Sequence, residues 1–162
     1  MEPIKLHYSE ALVLKAVRSF MLRFIGWRYV AALAVLSAST FYLLATGERS
    51  WLIGVFGSAW ALGLVLPFAI FIAHRRAALI RLRRLGKAEA IFEPKEDGFR
   101  VTSDVGMINL PWSEITAVWL FPEFWLLFFS QSEFITLPLA DANNEVREFI
   151  LARVRSHGIK VS

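Results

Sequence analysis

No cysteine occurs among the 162 residues, so a disulfide framework, a thiolate metal site and a cysteine nucleophile are all excluded. Charge is scarce too: 20% of residues are charged and 56% apolar, where an ordinary soluble domain has about 25% and about 45–50%. A disordered chain is poor in apolar residues, which removes that class. The three histidines, His7, His74 and His157, stand far apart and none has a partner at metal-ligand spacing. Phosphate loops, dinucleotide fingerprints and G-x-S-x-G elbows are absent. The reading is a non-enzyme with no catalytic residue, no metal site and no cofactor.

What the chain has instead is two long uncharged runs. Residues 29–46 (YVAALAVLSASTFYLLAT) and 51–73 (WLIGVFGSAWALGLVLPFAIFIA) are separated only by Gly47-Glu48-Arg49-Ser50. As helices they would be about 27 and 34 Å long, close to a hydrocarbon core of about 30 Å. A pair of buried helices in a soluble bundle is the competing reading, but each run is apolar all round and 162 residues offer too little protein to cover both. The first run begins at residue 29 and the second follows at once, unlike a cleaved signal peptide. Within the spans the polar side chains are Ser, Thr and Tyr; no ionisable acid or base marks an ion or proton path. Ala34 with Ala38, and Gly54 with Ser58, are spaced for close helix approach. Pro67 is placed to kink the second span.

The cations flank these runs. Residues 1–28 hold five basic and two acidic side chains; residues 74–87 hold six basic and no acidic ones; residues 88–162 hold six basic and eleven acidic. A nucleic-acid binder should be basic on its folded domain, and here that part is acidic. Residues 10–28 read as a helix with Ser9 as N-cap, suited either to lie on a membrane surface or to pack as a lead into the span. Arg75, Arg76, Arg81, Arg83, Arg84 and Lys87 continue the second helix toward Gly86. They serve either as a topology anchor or as a site for anionic headgroups, each cation worth about 1 kcal/mol near the surface.

From residue 88 the pattern changes to short apolar runs: AEAIFEP, GFRVTSD, GMINLPW, EITAVWLF, FWLLFFS and EFITLP. The breaks between them are Lys95-Glu96-Asp97-Gly98, Asp104-Val105-Gly106, Pro122-Glu123 and Ser130-Gln131-Ser132, the punctuation of antiparallel strands. Residues 141–157 then give a helix with an apolar stripe of Val146, Phe149, Ile150 and Val154, stopped by Gly158. The fold class that follows is a membrane helical hairpin plus an α+β domain, a small curved antiparallel sheet or partial barrel closed by a C-terminal helix. The organisation is 1–28 as strand and basic helix, 29–73 as the spans, 74–87 as the juxtamembrane helix and 88–162 as the β domain. Trp112 enters a turn that Ser113 can cap, with Ile115 and Val118 turning into the core. Phe121, Phe124 and Trp125 open a run apolar on both faces; one face meets the core, and the other meets the closing helix, a partner protein or the bilayer.

Two spans followed by INLPWSEITAV (Ile108 to Val118), FITLP (Phe134 to Pro138) and a terminal helix resemble the YcxB-like family, and the IKLHYSE segment (Ile4 to Glu10) resembles its start. The resemblance implies a pleckstrin-homology-like (PH-like) cytoplasmic domain, which the N-terminal strand would join, in a bacterial inner-membrane protein. It implies no activity. Three roles are weighed: a membrane-anchored interaction module with a protein partner or a second copy, a sensor of anionic membrane lipids, and a small oligomeric carrier or channel.

Lys15, Arg18, Arg23 and Arg28 precede the first span and six cations follow the second, while the connecting loop holds only Arg49. The positive-inside rule therefore places both termini in the cytoplasm. A reporter fused after Ser162 should read cytoplasmic and one inserted at Glu48-Arg49 external; the reverse pattern would overturn the orientation.

Overall fold

The computed structural model describes residues 2–130 and 133–162, so Gln131 and Ser132 of the expected Ser130-Gln131-Ser132 break lie outside the described residues. Two compact units make up the chain. One comprises the N-terminal residues through Ala16 together with Ala78–Ser162, the other Val17–Ala77.

The first unit contains two four-stranded sheets. Strands β1 (Ile4–His7), β2 (Glu89–Pro94), β3 (Gly98–Ser103) and β4 (Gly106–Pro111) form one, in that order and antiparallel throughout. Strands β5 (Ala117–Leu120), β6 (Phe124–Phe128), β7 (Phe134–Pro138) and β8 (Lys160–Val161) form the other, in the order β7-β6-β5-β8. The six expected strands and the N-terminal strand are all present. They do not form a single curved sheet: the strands divide into two sheets after β4, and among the described residues no closed barrel forms. The cause is local. Pro111 has no N–H to continue a ladder, and Trp112–Glu114 coil into a 3-10 turn that carries the chain across to β5. That turn has no side-chain cap; Ser113, expected to cap it, is exposed.

The core lies between the sheets and under helix α3 (Asn144–Ser156). Leu6, Phe92, Phe99, Trp112, Val118, Leu127, Leu137, Ile150 and Val154 are fully buried in it. The alternation of the strands supplies one face of each sheet, and the stripe on α3 supplies the lid. Asn143 starts α3 by accepting the Val146 N–H at 2.9 Å. Phe149 sits at the core's edge under the Arg153 guanidinium, 5.1 Å from the ring centroid. Gly158, at φ +69°, ends the helix and turns the chain into β8, which runs parallel to β5.

The second unit is built from the greater part of helices α1 (Glu10–Ala45) and α2 (Trp51–Arg84), each long and apolar enough to cross a membrane. Ser9 begins α1 by accepting the Leu12 N–H at 3.1 Å. Gly26 breaks α1 at φ 60°, ψ 169°, a conformation essentially confined to glycine. A Schellman turn ends it: Glu48 N–H donates to Leu43 C=O and Gly47 N–H to Leu44 C=O, with Gly47 at φ +73°.

Close helix approach occurs at Gly63 and not at the expected small-residue pairs. A Cβ on Gly54 would meet nothing within 4 Å, and Ser58 Oγ donates back to Gly54 C=O. At Gly63 a Cβ would lie 3.1 Å from Leu33 Cδ1. The reason is Pro67. Without an N–H it leaves the carbonyl of Gly63, four residues earlier, with no helical donor. The Tyr29 hydroxyl of α1 donates to that carbonyl instead. One turn away, Trp60 Nε1–H donates to Ser37 Oγ at 2.8 Å, and Ser37 donates on to Leu33 C=O at 2.7 Å.

This arrangement predicts a coupling. Tyr29→Phe should destabilise the hairpin by about 1 kcal/mol. In a Pro67→Ala background, where residue 67 regains an N–H for Gly63, the same change should cost distinctly less. Reversible unfolding in bicelles across the double-mutant cycle measures it, and additive effects would refute it.

Candidate functional site

Three features stand out as candidate sites: the basic end of α2, the aromatic run at β6 and a groove at the N-terminal end of α1. Helix α2 rises about 51 Å over its 34 residues, well beyond a hydrocarbon core of about 30 Å. Arg75, Arg76, Arg81, Arg83 and Arg84 lie on its C-terminal part and Lys87 in the turn after it; all six are exposed. At about 100° per residue the five arginines fall on every side of the helix. They form a collar and do not converge on a pocket. Among the described residues none of the six has a carboxylate within ion-pair distance, whereas Lys5, Lys15, Lys95, Arg100 and Arg153 are each paired. Residues 74–87 contain no acid, so no pair can form within the segment itself.

Phe124 and Trp125 do not form an exposed patch. Strand β6 is central in its sheet, and all five of its residues are buried. Trp125 and Leu127 face the core between the sheets. On the opposite face Phe124 packs against Phe121 at 5.0 Å between centroids, and Phe128 against Trp119 and Phe134 at 4.6 and 5.2 Å. Phe121 is half-buried. The chain itself covers both faces, which corrects the interaction-surface reading for Phe124 and Trp125.

The groove was not legible in the sequence. It measures about 470 Å³ and is lined by residues from three separate segments, among them His7, Ser9, Leu12, Glu123, Leu139 and Arg147. Its polar groups are largely committed to the fold. Asp141 accepts the His7 backbone N–H at 2.7 Å and lies 2.9 Å from its Nδ1. Lys15 pairs with Glu123. Arg147 donates from Nε to Ala142 C=O at 2.8 Å and from Nη2 to Leu139 C=O at 2.5 Å. The Ser9 hydroxyl accepts the Leu12 N–H as the α1 cap. These contacts tie β1 to the turn before α3, and α1 to the turn between β5 and β6.

Two titrating groups adjoin His7, Glu89 across the β1–β2 ladder and Tyr8 next along the chain. Glu89 is held below the usual carboxylate range by its hydrogen bond from Lys5 at 2.7 Å, against some desolvation and with smaller help from the charges of Lys5, His7 and Lys87. Tyr8 donates to Thr136 C=O at 2.9 Å; burial, and then the charge of Asp141, push its phenol upward.

Residues 94–152 match the family model of YcxB-like proteins, so the resemblance seen in INLPWSEITAV and FITLP holds over that stretch. It spans β3 to most of α3; the N-terminal IKLHYSE segment lies outside it. No curated protein and no solved structure matches the chain.

Tyr8 generates a pH prediction. Its folded-state pKa is raised, so the unfolded chain loses this proton first. The contribution is intact below the unfolded tyrosine value of about 10 and is lost as pH climbs past it. Thermal unfolding should therefore fall more steeply above about pH 10 in the parent than in Tyr8→Phe. Parallel curves would refute it.

Proposed function

We propose, from the YcxB-like pattern of residues 94–152, that this chain is a membrane-anchored, non-enzymatic interaction module of a bacterial inner membrane, with a PH-like domain and both termini in the cytoplasm. The observation that carries the reading is a contrast within one chain. Helix α2 has no buried residue, and Phe41, Trp51 and Phe68 are each more than 60% exposed, a surface suited to lipid. The domain's own core, by comparison, is complete. Two four-stranded sheets enclosing a core, with a C-terminal helix over it, support the PH-like description. The commitment of Ser9, His7 and Arg147 to structural bonds supports a role in binding over catalysis.

The second reading, a sensor of anionic lipid, draws on the unpaired collar of cations. Its shape favours an anchor: residues spread round a helix attract any anionic surface but shape no headgroup pocket. Replacing Arg81, Arg83 and Arg84 together by Gln keeps helix propensity and removes three charges. Arg75 and Arg76 remain to hold the orientation. The full chain should insert with unchanged topology. Its attraction to anionic vesicles should weaken by at most about 3 kcal/mol, without headgroup preference. The difference should vanish by about 0.5 M salt. Selectivity for one headgroup in the parent, abolished by the triple change, would overturn the anchor reading and establish the sensor.

A further inference from the structure

Sheet edges are where a folded domain is open to pairing, and this unit has four. Strand β1 carries Lys5 and His7 along its length. Strand β8 has two residues. Strand β7 ends in Pro138, and its Thr136 carbonyl is taken by Tyr8. Strand β4 differs from all three: from Val105 to Trp112 there is no charge, and Met107 and Ile108 are 63% and 49% exposed. Long uncharged edges are what proteins ordinarily protect with lysine, proline or a bulge.

The phase of hydrogen bonding along β4 is readable. Trp112 N–H donates to Asp97 C=O at 3.0 Å, and Gly106 faces Ser103 across the two-residue turn Asp104-Val105. Antiparallel pairs alternate, so Gly106, Ile108 and Leu110 exchange bonds with β3 while Met107, Asn109 and Pro111 turn theirs outward. Pro111 has no N–H to offer. The free edge is thus the N–H and C=O of Met107, the N–H and C=O of Asn109 and the C=O of Pro111.

Within that set the Met107 and Asn109 groups are complementary to themselves. We propose that β4 is a homodimerisation strand, pairing antiparallel with β4 of a second copy about a two-fold axis at Ile108. In this register Met107 of each chain faces Asn109 of the other, and the four N–H groups and four carbonyls of these residues are all satisfied. Registers centred on residue 107 or 109 strand some of them or meet Pro111. Ile108 then faces its counterpart in a non-hydrogen-bonded pair, Cα atoms about 4.5 Å apart, and its exposed side chain gains an apolar neighbour. The edge has no charge to repel an identical copy. A single strand pair is a small interface, and confinement of both copies to one membrane, taken from the function proposed above, raises their effective concentration.

The absence of cysteine makes the test clean. The full chain carrying Ile108→Cys, in membranes under mild oxidation, should give a disulfide-linked dimer, because the expected spacing suits a disulfide. Thr102→Cys, one strand inward, should stay monomeric. Met107→Lys with Asn109→Lys places like charges opposite each other twice and should weaken association about ten-fold in nanodiscs, whereas Met107→Lys with Asn109→Glu pairs opposite charges and should keep it near the parent level. No dimer from Ile108→Cys above the Thr102→Cys level, a crosslink to a different protein, or indifference to the double lysine change would each overturn the proposal. Resistance to alkaline extraction reads the anchoring separately: crosslinked dimers that wash off the membrane would refute the anchor and still support the strand pairing.

Discussion

The globular unit depends on how the chain leaves one sheet and enters the other at Trp112. Its indole is fully buried between the sheets, 5.1 Å from the Phe99 ring, and its Nε1–H donates to Lys95 C=O at 3.0 Å. Its own backbone N–H reaches Asp97. Both acceptors belong to the β2–β3 turn, so one residue welds that turn to the crossing. The weld requires Gly98, where a Cβ would stand 2.3 Å from the Leu110 carbonyl oxygen. Beyond the turn, Ile115 and Val118 drop into the same core. A large buried ring whose one polar atom is satisfied combines apolar burial with a fixed direction.

The helical unit obeys the same rule, and a bilayer would enforce it more strictly. Away from water, each backbone carbonyl must find a donor. Pro67 breaks the rule within α2, and Tyr29 restores it from α1. A residue that weakens one helix alone thereby becomes the reason two helices meet at a particular level. Gly63 allows that approach by having no side chain.

Much of the fold was legible because periodicity reports burial. The uncharged runs, the strand alternation, the Ser9 cap and the α3 stripe all follow from residue spacing. The collar of six cations was equally legible, since a segment without acids cannot pair internally. The β6 run misled for a physical reason. Continuous apolarity says that both faces of Phe124–Phe128 are covered, but does not say by what, and the cover is Phe121, Trp119, Phe134 and the core. The groove was invisible because His7, Glu123 and Arg147 are brought together only by the tertiary fold.

The sequence by itself determined the composition of each segment: which stretches are too apolar for water, where charge collects, and where proline and glycine interrupt. Those are local properties, carried by neighbours along the chain. Only the tertiary structure decided that the strands divide into two sheets at Pro111, that β8 pairs parallel to β5, that Tyr29 answers Pro67, and that β4 is left as an uncharged open edge. Each depends on which distant groups satisfy a hydrogen bond or cover a face, and residue spacing along the chain carries no record of that choice.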